Sequence, residues 1–185
     1  RHIRWDINTH GRSFADPAFT ERALALGLER AIVSLHSHDV EASCTIFGVK
    51  RAAHFETVTG IENLLNGGAW LMLNCVVTTY NRDHLADFAA WCIERFGTNY
   101  IMKLAFPSTT GKGGQWEGIA LQYGSVRDPI RAMRRVAKAS GLKLVFESFP
   151  ACTLDPPHSR NIGRSGFGET HYLDDITGSR LHSID

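Results

Sequence analysis

At 185 residues, with 43% hydrophobic and 21% charged side chains, the chain has the size and composition of one globular domain, which excludes a disordered or collagen-like polymer. Twenty Lys and Arg against nineteen Asp and Glu leave a formal charge of +1, so no bulk field draws it to nucleic acid or an anionic membrane. The longest apolar runs, such as residues 70–77 broken by Asn74, fall short of the ~20 residues of a membrane span, and a soluble protein is expected.

Residues 1–7 read as a short strand, and Asp16-Pro17 then opens a helical pattern through Phe19, Ala23, Leu24 and Leu26 that Gly27 ends. Residues 30–35 form the next β-rich run. After a polar stretch, Val58, Ile61, Leu64 and Leu65 recur at helical spacing within residues 55–65, closed by Asn66-Gly67-Gly68. Residues 70–78 are the most strand-like run, and residues 83–96 follow as a helix with Leu85, Phe88, Ala89 and Cys92 on one face. Residues 100–105 read as a strand, residues 108–118 as a glycine-rich loop, and residues 129–140 as a basic amphipathic helix stopped by Gly141. Residues 143–147 supply a fifth strand, beyond which Pro, Gly, Ser, His and Asp dominate and periodicity fades.

Strands alternating with helices predict right-handed βαβ units and a parallel sheet, hence the α/β class. No G-x-G-x-x-G follows the first strand, and Gly111-Lys112-Gly113-Gly114 lacks the spacing and ending of a phosphate loop, which argues against nucleotide binding of those kinds. Polar residues near the carboxyl ends of the strands, Ser34, His36, Asn74 and Thr78, suit a barrel whose interior becomes a site better than a sheet covered on both faces. The cysteines, Cys44, Cys75, Cys92 and Cys152, form no CxxC pair, so neither a zinc ribbon nor a disulfide framework is indicated, and a reducing cytoplasm is expected. Cys75 and Cys92 read as small core residues, whereas Cys152 stands in a loop-like setting where it is either a ligand or simply exposed.

Three groups of residues are candidates for chemistry. Ser34, His36 and His38 lie on one face of a continuing strand, and a His-x-His at a strand end is able to hold a divalent metal, as in barrel hydrolases; the alternative for His38-Asp39 is a solvated turn. Asn74 places an amide within an apolar strand, a cost of ~1–3 kcal/mol unless it bonds a neighbouring backbone or a bound polar molecule. Glu147, ending the fifth strand, serves either substrate binding or an ion pair.

The ordered strand ends Ile7-Asn8-Thr9-His10-Gly11-Arg12, Val33-Ser34-Leu35-His36-Ser37-His38, Asn74-Cys75-Val76-Val77 with downstream Asn81, and Phe106-Pro107 together resemble the radical S-adenosylmethionine (SAM) enzymes. The branch resembled contains the molybdenum-cofactor cyclase and the peptide maturases. The resemblance covers residues 3–152 and rests on the order of motifs. It implies a partial TIM-like (β/α)6 barrel, of which this chain covers about the third strand onward: residues 1–150 as the carboxyl-terminal part of the core barrel and residues 151–185 as the start of an irregular extension. Thr9-His10-Gly11 looks like the family's Thr-Asn-Gly, with His for Asn. Ser34 looks like the serine that contacts the SAM ribose or carboxylate, Asn74 like the SAM-binding asparagine, and Phe106 falls where the sixth strand passes the adenine. Thr9, His36, Thr78, Lys103 and Glu147 would face the substrate cavity, with Lys112 and Trp116 in a lid.

The family's CxxxCxxC, which binds a 4Fe-4S cluster, is missing from these residues, as is the Gly-Gly-Glu-Pro-like stretch that receives the SAM amino group. Two explanations compete, an excerpt of a longer enzyme and a degenerate member without a cluster; Ser34 and Asn74, still polar at family-like positions, favour the excerpt, with cluster ligands outside this sequence and the isolated piece inactive and poorly soluble. Cys152 would ligate an auxiliary cluster only with partners beyond Asp185. The function implied is reductive cleavage of SAM to a 5′-deoxyadenosyl radical that takes hydrogen from a small molecule or peptide, with an external electron donor and without nucleic acid or membrane. The alternatives are a metal-dependent hydrolase using His36 and His38 and a noncatalytic α/β binding module.

Overall fold

The computed structural model describes residues 3–107, 121–149, 153–154, 172–174 and 180–181. Five strands run parallel: β1 (Trp5–Thr9), β2 (Leu28–Ser34), β3 (Trp70–Val76), β4 (Ile101–Ala105) and β5 (Lys143–Glu147). Their order in the sheet is their order in the chain. Two short antiparallel strands, β6 (Tyr172–Asp174) and β7 (Arg180–Leu181), extend the sheet beyond β5, where irregular structure was expected. The glycine-rich lid with Lys112 and Trp116 lies outside the described residues, as does Cys152.

The crossovers are built from α1 (Pro17–Ala25), α2 (Val40–Phe47) and α3 (Arg51–Asn66), α4 (Leu85–Phe96) and α5 (Arg127–Ser140). Asp16 caps α1, its carboxylate accepting from the Ala18 N–H at 2.9 Å ahead of Pro17. The sequence reading passes over α2. Its signals are Asp39, which accepts from the Ala42 N–H at 2.7 Å, and Gly48, whose φ of 65° ends the helix in the left-handed region. α3 begins at Arg51, four residues before the first expected position, and buries Ala53, Thr57, Val58, Gly60, Ile61 and Leu64.

An unbroken strand order with right-handed crossovers leaves the helices on one face of the sheet, unlike a doubly wound fold with its reversal. Alternation along each strand then separates two chemistries. Ala31, Val33, Leu71, Leu73, Cys75, Met102, Leu104, Leu144 and Phe146 join Val58, Ile61, Leu64, Phe88, Ile130 and Met133 of the helices in one core. The intervening strand positions, Ser34, Asn74, Lys103 and Glu147 among them, face away from that core. Among the described residues no helix is long and apolar enough to cross a membrane.

The loop after β1 is strapped to α3. Thr57 donates its hydroxyl to the His10 carbonyl at 2.8 Å, and Asn63 donates its amide to the Phe14 carbonyl at 2.8 Å. Gly60 makes this approach possible: a Cβ there would lie 2.1 Å from the Gly11 carbonyl oxygen.

Candidate functional site

Register decides which candidate residues meet. Ser34 pairs across the sheet with Asn74, and Asn74 with Lys103, so the three side chains form a row on the face opposite the described helices. At one interstrand spacing per step the row spans about 10 Å. Glu147, two residues beyond the Lys103 partner Val145, closes it: its Oε2 lies 2.6 Å from Lys103 Nζ, with side chains 22% and 9% exposed. Two charges held this far out of water depend on each other, because either alone would be a poorly solvated ion.

Asn74 Oδ1 is buried and has no hydrogen-bond partner among the described residues. The backbone does not absorb this amide: the Asn74 carbonyl accepts from the Leu35 N–H at 3.1 Å within the sheet, and the side-chain oxygen is left over. A buried acceptor left unpaired costs ~1–3 kcal/mol, so the row carries an unmet demand for a donor. The group as a whole offers a hydroxyl, an amide and an ion pair of both signs. That set suits a polar molecule bearing both charges.

His36 stands just past the row at the end of β2, 6% exposed and stacked on Phe47 with ring centroids 4.3 Å apart. Its Nδ1 accepts from the Val76 N–H at 3.3 Å. Burial lowers its pKa to about 4, partly opposed by a hydrogen bond with the Asn74 backbone and reinforced by nearby His10. The ring is therefore neutral at pH 7. His38 goes elsewhere, its ring centroid 6.4 Å from those of Phe88 and Trp91 on α4. The two rings pack on different neighbours, and among the described residues no three His, Cys, Asp or Glu side chains are placed to hold a metal ion.

Three expected positions lie apart from the row. Thr9 pairs with Val33, which sets it on the helix side, and its hydroxyl accepts from the Gly11 N–H at 3.1 Å rather than facing a substrate cavity. Thr78 is 1% exposed and spends its groups in the turn after β3: its N–H donates to Asn81 Oδ1 at 2.7 Å and its hydroxyl accepts from the Tyr80 N–H at 3.3 Å. Phe106 packs its ring 4.8 Å from Tyr123 and 5.3 Å from Phe149, and its N–H continues the sheet by donating to the Glu147 carbonyl at 2.9 Å.

Asn81, noted in the sequence only as part of a motif, is the fastener of this end of the sheet. It is 2% exposed, and its Nδ2 donates to the carbonyls of His36 at 2.7 Å and Val76 at 2.9 Å. Cys75 and Cys92 are core residues as read; burial pushes the Cys75 thiol up to about 12 and the Cys92 thiol well up, so both stay protonated. No protein-family model matches the chain, and no curated protein matches it.

Proposed function

We propose that this chain is the part of a radical SAM enzyme from the third barrel strand onward, and that the row Ser34, Asn74, Lys103 and Glu147 lies against SAM and its substrate. The observation that carries the reading is the buried Asn74 Oδ1, without a partner among the described residues, beside Ser34 on the sheet face where no described helix packs, with β1 to β5 parallel and in chain order. The ordered motifs quoted above supply the family. Ser34 and Asn74 fit the role of holding SAM, since a hydroxyl and an amide facing one space are able to bond the ribose or the amino-acid end of the molecule. Lys103 and Glu147 present both charges one and two strands away, and His36 contributes a neutral ring at the rim.

The residues of this chain do not fit a 4Fe-4S cluster: of the described cysteines, Cys75 and Cys92 are buried in the core and Cys44 is half-buried on α2, and CxxxCxxC does not occur. Cluster ligands would come from residues outside this sequence. A cluster held by such residues would supply one-electron reduction of SAM, the chemistry that the cofactors and not this chain's side chains would carry. The role of the present residues is to orient SAM and a small-molecule or peptide substrate, with electrons from an external donor. The hydrolase reading has less support, because among the described residues no third His, Cys, Asp or Glu joins His36 or His38 to hold a metal ion.

The test uses the complete gene product, reconstituted with iron and sulfide without oxygen. The expected result is formation of 5′-deoxyadenosine from SAM, with Asn74→Leu weakening SAM binding about tenfold, the worth of one hydrogen bond of ~1.4 kcal/mol. A gene product without CxxxCxxC that yields no 5′-deoxyadenosine overturns the proposal.

A further inference from the structure

A cavity, partly open to solvent, lies on the helix-bearing side of the sheet, among the loop after β1, the end of β2 and helices α2 and α3. Its volume is about 60 Å³. We propose that this cavity binds a small organic anion, a carboxylate attached to an apolar or aromatic body.

The charge of the lining is one-sided. Its polar members are Arg12, His10, His54, Ser43 and Thr57, and neither Asp nor Glu contributes. Among the described residues no carboxylate pairs with Arg12, although eight other ion pairs form. Asp39, whose charge is felt at His54, lies outside the lining and caps α2 by accepting from the Ala42 N–H at 2.7 Å. A guanidinium with open valence beside imidazole N–H groups selects a planar anion.

One side chain there has hydrogen-bonding capacity left unspent. His54 is 4% exposed and its Nδ1 has no partner among the described residues; burial holds the ring below its ordinary pKa, so it is neutral and carries one N–H. Ser43, 1% exposed, brings a hydroxyl to the same lining. Thr57 differs: its hydroxyl is committed to the His10 carbonyl at 2.8 Å and fixes the wall.

The rest of the lining is Leu35, Phe47, Val49 and Ala53. Inorganic phosphate would gain nothing from these four, whereas an apolar body buried against them gains ~25 cal/mol for each Å² removed from water. Phe47 is the shared wall. It meets His10 edge-on at 5.1 Å and His36 face-on at 4.3 Å, so a ligand here would press on the ring next to the strand-end row.

Titration of the isotope-labelled protein, followed by amide resonances, tests this with phenylacetate, benzylamine and inorganic phosphate as probes. Phenylacetate should move the signals of residues around Arg12, Ser43 and His54, while benzylamine, a similar body of opposite charge, leaves them in place. Phosphate should bind at least about tenfold more weakly, and Arg12→Met, an exposed position, should weaken phenylacetate about tenfold with unchanged circular dichroism. Equal binding of benzylamine or phosphate, or an unchanged phenylacetate affinity in Arg12→Met, overturns the proposal. No SAM or cluster enters the experiment, so its failure leaves the radical SAM reading standing.

Discussion

Replacing Asn81 perturbs one amide that joins β2, β3 and the turn into α4. Of its three short bonds, those to the Thr78 N–H and the His36 carbonyl, each 2.7 Å, are buried, and that to the Val76 carbonyl at 2.9 Å is part-buried. Asn81→Ala strands one donor and two acceptors. At ~1 kcal/mol for each, the expected loss is about 3 kcal/mol, read as a drop in the free energy of urea unfolding at constant slope. Asn81→Asp separates hydrogen bonding from packing, because it keeps the shape and the acceptor oxygen but turns the amide donor toward two carbonyls as a second acceptor. Ionisation is then disfavoured in the folded variant, whose carboxyl pKa rises above the unfolded value of about 3.9. Above that pH the folded state retains a proton that the unfolded state has released. The variant therefore loses stability as pH rises from about 4, by up to ~1.4 kcal/mol per pH unit, and recovers it in acid, where the protonated acid donates again. An Asn81→Ala loss below about 1 kcal/mol, or an Asn81→Asp stability that follows the wild type from about pH 4 to 7, refutes the reasoning.

His36 gives the opposite pH sign. Its folded pKa of about 4 lies below the ordinary 6.5, so the unfolded state binds the extra proton in that window. Stability should fall as pH drops from 6.5 toward 4, by about 3 kcal/mol, and His36→Gln, which keeps an acceptor for the Val76 N–H, should remove that part of the slope in urea titrations at each pH. Gly60→Ala should lower the melting midpoint and cost at least ~2 kcal/mol, although helix propensity alone predicts a gain of about 1, because the new Cβ meets the Gly11 carbonyl oxygen. Lys103→Met should cost ~2–3 kcal/mol by leaving Glu147 unpaired, and adding Glu147→Gln should return part of it; strictly additive losses in the double-mutant cycle would show that the 2.6 Å pair is not coupled.

The α/β class and five parallel strands were legible in the residues because each strand is a short apolar run between helical repeats, and periodicity is a local property. α2 escaped because its eight residues carry Ser43 and Thr45, too short and polar for a pattern, leaving only the Asp39 cap and Gly48 as signals. β6 and β7 escaped because three- and two-residue strands depend on the edge they join.

For the site, the sequence by itself determined that polar residues stand at strand ends and that Asn74 needs a partner, either a neighbouring backbone group or a bound molecule; the structure shows its Oδ1 without one among the described residues. Only the tertiary structure decided which of them share a space. Cross-strand register put Ser34, Asn74 and Lys103 in one row, the same alternation turned Thr9 to the helix side, and a tight turn consumed Thr78. The cavity around Arg12, His10 and His54 joins residues more than forty positions apart. No local pattern encodes it, because distance along the chain says nothing of distance across a sheet until pairing and helix packing have fixed both.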